Sequence, residues 1–316
     1  MAGEFDLIET IRGRALARAD VLLGIGDDAA LLAAPAGMQL ACCADTLNAG
    51  VHFPADADAA AIGWKSLAVN LSDLAAMAAR PAWCTLSLSL PEASADWLEG
   101  FLDGFLALAA RHEVALVGGD TTRGPLSISV TAIGFVEPGR ALRRDGGRVG
   151  DEVWVSGTPG DAAAALALWQ AGHPVPDALR QRLDRPEPRV ELGLALAGIA
   201  AAGIDVSDGL LADLEHVAFA SGLGIEVDAG SLPVSAALAA LDVPAGQRRE
   251  WQASGGDDYE LCFSAAPADA PRVEAAARGA GVAVTRIGRM VAGAGVRAMV
   301  EGREWRPGQS GYRHFG

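Results

Sequence analysis

Cysteine is scarce: four stand in 316 residues, at positions 42, 43, 84 and 262, with no CxxC or other zinc-ligand spacing among them. Such thiols are expected to be buried and reduced, in a reducing compartment. The adjacent pair Cys42 and Cys43 lies in "MQLACCAD", which reads as a strand and so points the two side chains to opposite faces. No charged-then-apolar signal pattern appears in "MAGEFDLIETIRGRA". The longest uncharged run, around "LGLALAGIAAAGI", falls short of the ~20 residues of a membrane span and is broken by glycines. Positive charge is also short. With 25 Lys and Arg against 40 Asp and Glu, the net charge is −15, which argues against nucleic acid or an anionic membrane as the partner. No GxxxxGK[ST] lysine occurs, which disfavours the usual P-loop kinase. These absences leave a cytoplasmic protein as the expectation.

What is present suits a packed α/β protein of one large or two medium domains, with 51% hydrophobic and 21% charged residues. "DADAAAIGWKSLAVNLSDLAAMAARP" (56–81) predicts a long helix stopped at Pro81. "CTLSLSLP" alternates strictly, so Leu86, Leu88 and Leu90 share one face and Ser87 and Ser89 the other. A second helix, a short buried strand "VALVGG" and a long strand "LSISVTAIGFV" follow, giving helix–strand alternation over 20–136. The turn-rich "EPGRALRRDGGRVGD" marks a boundary. The expected division is 1–137, a linker at 138–150, and 151–316. In the last part "VWVSG" leads through a glycine turn into "AAAALALWQAG", and "IEVDAG", "YELCFSA" and "VAVTRIG" follow as strands. "PVPDALRQRLDRPEPRV" reads as a surface connection.

Carboxylates recur where apolar segments meet glycines. Asp27 and Asp28 stand in "GIGDDAALL", Asp45 ends "LACCAD", and Asp120 follows "VALVGG". Asp205 and Asp208 lie in "GIDVSDGLLAD", and Asp257 and Asp258 in "ASGGDDYELCF". Open α/β sheets place ligand sites at such strand ends. Asp73 is the least ordinary, an aspartate among Val69, Leu71, Leu74 and Met77 with Lys65 as the nearby cation. Two unit charges 4 Å apart repel by roughly 4 kcal/mol at an effective dielectric of about 20. Magnesium removes that repulsion and commonly bridges substrate phosphates. Plainer readings stand beside this one. A GDD turn is common, Ser207 or Asp208 can cap the helix that follows, and Gly118 and Gly119 can be turn formers. "GTPGD" is either a strand-to-helix turn or an anion cradle. His52 reads as a packed histidine or a phosphate donor, Arg144 as a solvated charge or a phosphate contact, and Tyr312 as a tail anchor or a stacking ring.

Seven ordered blocks resemble thiamine-monophosphate kinase, in the superfamily shared with aminoimidazole ribonucleotide synthetase and selenophosphate synthetase. They are "GIGDDAALL", "ADTLNAGVHF", "GWKSLAVNLSDLAAMAARP", "VGGDTTRGPLSISVTAIG", "RDGGRVGDEVWVSGTPGD", "IDVSDGL" and "GGDDYELCF". The likeness runs from "GEF" at residue 3 to "GYRHF" at 311. It implies the two-domain α/β (α+β type) synthetase-like fold, with an N-terminal sheet domain that binds ATP and Mg²⁺ and forms a homodimer, and a C-terminal α/β domain. It implies direct in-line transfer of the ATP γ-phosphoryl group to thiamine phosphate, with several Mg²⁺ ions and no covalent intermediate.

By position, the resemblance makes Asp28, Asp45, Asp73, Asp120, Asp205 and Asp208 magnesium ligands, with Asp73 and Asp120 carrying catalysis. Cys43 and Ala44 stand where relatives have metal-assisting hydroxyl residues. Gly119, Asp120, Arg144 and Ser207 match nucleotide positions, and His52, Asp257 and Tyr312 substrate positions. Asp257 replaces the usual Glu of "GGEDYEL", and Leu102 falls at an aromatic nucleotide contact. An aminoimidazole ribonucleotide synthetase-like ligase is the enzyme alternative, weakened by "GVHF" and "GGDDYEL". No cysteine precedes Cys42, as selenophosphate synthetase would require. A non-catalytic nucleotide- or cation-binding protein is the alternative of another class.

Overall fold

The computed structural model describes residues 4–54, 56–309 and 311–312, so Arg313–Phe315 of "GYRHF" lie outside the described residues. Its segments fall into two units: residues up to Leu74 with Ala79–Gly139, and Ala75–Ala78 with the chain from Arg140.

The first unit begins with α1 (Glu4–Arg14), a small ribbon of β1 (Val21–Leu23) and β2 (Leu31–Leu32), and β3 (Gln39–Asn48). Then come α2 (Ala59–Ala76), β4 (Arg80–Leu90), α3 (Ala95–Arg111), β5 (Ala115–Arg123) and β6 (Ser127–Val136). One sheet runs β3-β6-β4-β5, antiparallel except for β4 with β5, and β3 and β5 form its edges. The alternation of "CTLSLSLP" holds: Leu86, Leu88 and Leu90 are buried and Ser87 is exposed. Leu67, Leu71 and Leu74 of α2 and Leu98, Phe101 and Phe105 of α3 are buried as well. The two helices touch backbone to backbone, since a Cβ on Gly63 would lie 2.0 Å from the Phe101 carbonyl and one on Gly104 1.7 Å from that of Ala60.

Three element ends differ from the sequence expectation. Helix α2 stops at Ala76, not at Pro81. Ala78 takes a left-handed φ of 52°, the Ala79 N–H closes on the Leu74 carbonyl at 2.8 Å, and Pro81 lies inside β4 next to a bulge. Strand β3 continues past Asp45 to Asn48. Strand β5 runs through Gly118, Gly119 and Asp120 to Arg123, so the glycines are not a turn. Gly119 is needed for strand contact: its φ is 147°, and a Cβ there would stand 1.8 Å from the Leu86 carbonyl.

The second unit contains β7 (Glu152–Ser156), α4 (Asp161–Gln170), α5 (Asp177–Asp184), α6 (Val190–Leu196), β8 (Ala202–Asp205) and α7 (Leu210–Ser221). It continues with β9 (Gly224–Asp228), α8 (Ala236–Ala239), α9 (Ala245–Ser254), β10 (Leu261–Ala265), α10 (Ala270–Gly279), β11 (Val284–Val291), β12 (Gly295–Val300) and β13 (Arg303–Trp305). The strands form one mixed sheet in the order β13-β12-β9-β11-β7-β10-β8. Val153, Val155, Ile204, Ile225, Val227, Ile287 and Met290 pack with Leu214 and Val217 of α7 into its main core. The segment read as a surface connection is instead α5 and the start of α6, with Leu179, Leu183 and Val190 buried. All four cysteines are free, and Cys84 and Cys262 are buried as expected. Cys42 is not; it lies on the outer face of β3 and is exposed, while Cys43 on the other face is half-buried. No helix among the described residues is long and apolar enough to cross a membrane.

Candidate active site

In the first unit, the alternation of β3 sets Cys43 and Asp45 on one face and Ala44 on the other. Ala44 therefore has only its main-chain oxygen to offer. Asn70 of α2 ties helix to strand: its Oδ1 accepts the Asp45 N–H at 3.2 Å, and its Nδ2 donates to the Ser66 carbonyl. Cys43 donates Sγ–H to the Asn70 carbonyl at 3.4 Å. Burial, and then the negative charges of Asp73 and Asp45, push the Cys43 thiol far up, so it stays protonated. That field brings Asp45 and Asp73 to one place, around Cys43. Burial also pushes the Asp45 carboxyl up.

The other two carboxylates of this unit stand elsewhere. Asp28 is exposed in the turn after Gly26, its N–H donating to Asp27 Oδ1 at 2.8 Å. Asp120 is exposed on β5, in register with Ser87, Ser129 and Thr46 across the sheet. Asp45 and Asp120 thus occupy opposite edge strands, three strand spacings or about 14 Å apart. Lys65, the nearby cation in sequence, lies on the same helix as Asp73. Its Nζ donates to the His52 carbonyl at 3.3 Å, eight residues or about 12 Å of helix rise before Asp73. Leu102 is fully buried in α3, so it presents no surface to a nucleotide.

In the second unit three glycine–aspartate segments converge. "IDVSDG" and "GGDDYEL" run side by side beyond the β8–β10 pairing: Val206 N–H bonds the Glu260 carbonyl, Tyr259 N–H the Val206 carbonyl, and Asp257 N–H the Ser207 carbonyl, at 2.8, 2.8 and 2.9 Å. Asp257 and Tyr259 hold left-handed φ values of 67° and 51°, and Tyr259 Oη donates to Asp257 Oδ1 at 3.1 Å. "GTPGD" joins through Gly160, whose N–H meets both oxygens of buried Asp258 at 2.9 and 2.8 Å. The group at that helix start is therefore the chain's own Asp258 carboxyl, which burial pushes well above the usual carboxylate range against the pull of the Gly160 N–H. Tyr312 N–H donates to the Asp208 carbonyl at 2.9 Å, which seats the tail beside the same turn.

Neither Ser207 nor Asp208 caps α7; the cap is Gly209, with no side-chain bond. The turn is held from the other direction. Asp213, one turn into α7, accepts the N–H groups of Ser207, Asp208 and Gly209 on one oxygen at 3.0, 3.1 and 3.1 Å. Burial first, then the charges of Asp205 and Asp208, push its carboxyl up to about 8 against the pull of those bonds. Asp205 itself is buried at the end of β8. Arg144 is exposed, its carbonyl anchored by Ser221 Oγ at 2.8 Å. Beneath the loop, fully buried Glu260 takes Arg182 and Arg189 at 2.5 Å and the Ser156 hydroxyl.

Asp213, Glu260, Arg182 and Arg189 are the residues that sequence reading missed, and Asp258, named there only as one of the carboxylates, turns out to hold Gly160. The signal lay in the acidic doublet "DDYE" and the arginine-rich "RQRLDRPEPR", but only long-range pairing joins them.

The donor chemistry fits a hard divalent cation: carboxylate oxygens gathered in partly dry surroundings, with the one thiol beside them held protonated. Among the described residues, no three such side chains stand at metal-holding spacing.

Comparison with known proteins covers both units. The AIR synthase related protein N-terminal domain matches residues 26–136 and the corresponding C-terminal domain residues 148–301. The thiamine-monophosphate kinase of Salmonella typhimurium is 47% identical over 320 aligned positions, covering 99% of this chain and 98% of that protein. A crystal structure of thiamine-monophosphate kinase from Stenotrophomonas maltophilia superposes with a TM-score of 0.88 at 58% identity, covering 95% of this chain and 97% of the other. A structure described as AaThiL complexed with AMPPCP and TMP superposes with a TM-score of 0.78 at 34% identity, covering 99% and 97%.

Proposed function

The chain belongs to the thiamine-monophosphate kinase family of AIR synthase related proteins, and from that premise we propose how its own residues carry the reaction. The protein phosphorylates thiamine monophosphate with ATP, giving thiamine diphosphate and ADP. The observation that supports the assignment beyond likeness is the zipping of "IDVSDG" to "GGDDYEL", with the Tyr312 N–H on the Asp208 carbonyl, which brings the main chain of Ser207, Asp208, Asp257 and Tyr312 together.

A phosphate oxygen of thiamine monophosphate attacks the γ-phosphorus in line, and the bond to the β,γ-bridging oxygen breaks to release ADP. That nucleophile is already ionised at neutral pH, so none of the aspartates has to act as general base. Asp28, Asp45, Asp73, Asp120, Asp205 and Asp208 would hold magnesium. Cys43, protonated, and Ala44, lacking a donor, would contribute main-chain oxygens only. When bound, magnesium supplies charge neutralisation between the two anions and on the leaving phosphate. Gly119 and Asp120, Arg144 and Ser207 contact ATP; Gly119 lets the strand approach closely, and the Arg144 guanidinium suits a phosphate. His52, Asp257 and Tyr312 receive thiamine monophosphate. The shorter Asp257 is steadied by Tyr259, and the Tyr312 ring suits a cationic thiazolium.

The N-terminal part, 1–137, is assigned nucleotide and magnesium binding and homodimerisation, with 138–150 as linker and 151–316 as a C-terminal α/β domain. Two features support a dimer: β3 and β5 are open edges, and Leu22, Leu31 and Leu40 are 70%, 57% and 56% exposed. A second copy joining those edges would bring Asp45 of one strand toward Asp120 of the other. Four free thiols suit the cytoplasm. The test is ADP release from Mg-ATP with thiamine, thiamine monophosphate and an aminoimidazole precursor as acceptors. Only thiamine monophosphate should respond; release with the aminoimidazole precursor alone would point to a synthetase-type ligase.

A further inference from the structure

A serine in a helix often bonds back into its own helix, as Ser66 does in α2, where Oγ donates to the Ile62 carbonyl at 2.7 Å. Ser221, the last residue of α7, does otherwise. Its Oγ donates to the Arg144 carbonyl at 2.8 Å and accepts the Gly147 N–H at 3.2 Å, 77 and 74 residues away in sequence. The one proton of the hydroxyl is thus committed to the turn that carries Arg144.

Further contacts hold the same turn, "RRDGG". The Arg143 carbonyl accepts the Gly203 N–H of β8 at 3.0 Å, two residues or about 7 Å of strand before Asp205. A Cβ on Gly146 would lie 1.9 Å from the Ala201 carbonyl, and one on Gly147 2.5 Å from Met290 Cε and 3.0 Å from Ser221 Oγ. Arg143 engages both oxygens of Asp145, at 2.8 and 2.6 Å, so the carboxylate next to Arg144 in sequence is bound by its other neighbour. The result is a turn with a fixed main chain and an exposed Arg144. Helix α7 therefore serves the candidate site at both ends: Ser207 and Asp208 precede its first turn, and its last residue holds the turn of Arg144. An arginine side chain carries about 2 kcal/mol of rotamer entropy. Fixing the main chain from which it starts lowers the ordering that a phosphate contact must offset.

We propose that Ser221 is a positioning residue for nucleotide recognition: by holding the Arg144 carbonyl and the Gly147 N–H it presents the Arg144 guanidinium to the phosphates of ATP. This rests on the reading of Arg144 as a nucleotide contact. Ser221 acts on the main chain of the turn, so its loss should weaken ATP and leave thiamine monophosphate unaffected.

Steady-state kinetics of Ser221→Ala, Ser221→Thr, Arg144→Ala and the double variant Ser221→Ala with Arg144→Ala test it, alongside thermal melting. The KM for ATP should rise about fivefold in Ser221→Ala, the scale of one lost hydrogen bond, while the KM for thiamine monophosphate stays within about twofold. Ser221→Thr keeps the hydroxyl and should return the KM for ATP to within about twofold of wild type. The double variant should match Arg144→Ala, because a residue acting through another adds nothing once that one is gone. An unchanged KM for ATP in Ser221→Ala, equal rises for both substrates, multiplying penalties in the double variant, or a Ser221→Thr as weak as Ser221→Ala would overturn the proposal. If Ser221→Ala does not fold, amide exchange in the wild-type protein decides. The Gly147 N–H should exchange more slowly on saturation with Mg-ATP and at an unchanged rate with thiamine monophosphate; exchange unmoved by Mg-ATP overturns the proposal. Arg144→Ala with a wild-type KM for ATP would remove the reading of Arg144 and this proposal with it. A raised KM there, beside an unchanged one in Ser221→Ala, removes only the role of Ser221.

Discussion

Glu260 is surrounded by two arginines and a hydroxyl at hydrogen-bond distance. Burial alone would raise its carboxyl, but Arg189, Arg182 and Ser156 together outweigh that and hold it below the ordinary 4.5. A depressed carboxylate contributes stability above its unfolded value and loses it as pH falls through the lowered one. Wild-type stability should therefore drop below about pH 4.5, and Glu260→Gln should flatten that drop in urea titrations. The same variant strips two half-buried guanidiniums of their charged partner and should cost about 3 kcal/mol at pH 7. Asp213 gives a second contrast. Asp213→Ala leaves three N–H groups without their shared oxygen and should lower turnover by loosening Ser207 and Asp208, whereas Asp213→Asn keeps an accepting oxygen and should recover most of it. Turnover of Asp213→Ala equal to that of wild type would remove the turn-holding role.

At the scale of elements, α2 and α3 depend on two glycines for their contact. Gly104→Ala would place a methyl group inside the Ala60 carbonyl, so it should force the helices apart. It should lower stability by about 1–3 kcal/mol in thermal or urea melts, and a melting midpoint equal to wild type would contradict the packing described. Much at this scale was legible beforehand. "CTLSLSLP" announces its two faces because a half-buried strand repeats every second residue, and "AAAALALWQ" announces a helix by composition. What escaped notice depends on partners distant in sequence. Pro81 looks like a helix stop, yet α2 ends earlier through the backbone of Ala78, and β4 absorbs the proline at a bulge. "VGGD" looks like a turn, yet Gly118 and Gly119 lie in a strand because β4 pairs with them. Arg182 and Arg189 look solvated because Glu260, about 70 residues on, is not visible from their own neighbourhood.

For the whole molecule, the carboxylates named from the sequence divide by unit. The chain itself gathers Asp45 with Asp73, and Asp205 with Asp208 and Asp213. Asp120 lies on the far edge of its sheet and Asp28 in an exposed turn, so motif recognition alone named more ligands than one chain's first sheet brings together. The proposed pairing of copies along β3 and β5 would account for that spacing. Sedimentation equilibrium should give twice the 32.3 kDa chain mass, and a charge placed on the exposed apolar strip, as in Leu40→Glu, should shift it toward one chain mass. A wild-type protein of single chain mass at micromolar concentration would contradict the dimer.

Turnover of Asp73→Asn, folded and saturated with magnesium, reaches the central claim most directly. The exchange keeps shape and removes one charged oxygen from the pair beside Cys43. The account predicts that phosphorylation of thiamine monophosphate falls by about 100-fold, the scale of a misplaced reacting group, with the melting temperature retained. Turnover close to wild type in that variant would contradict it.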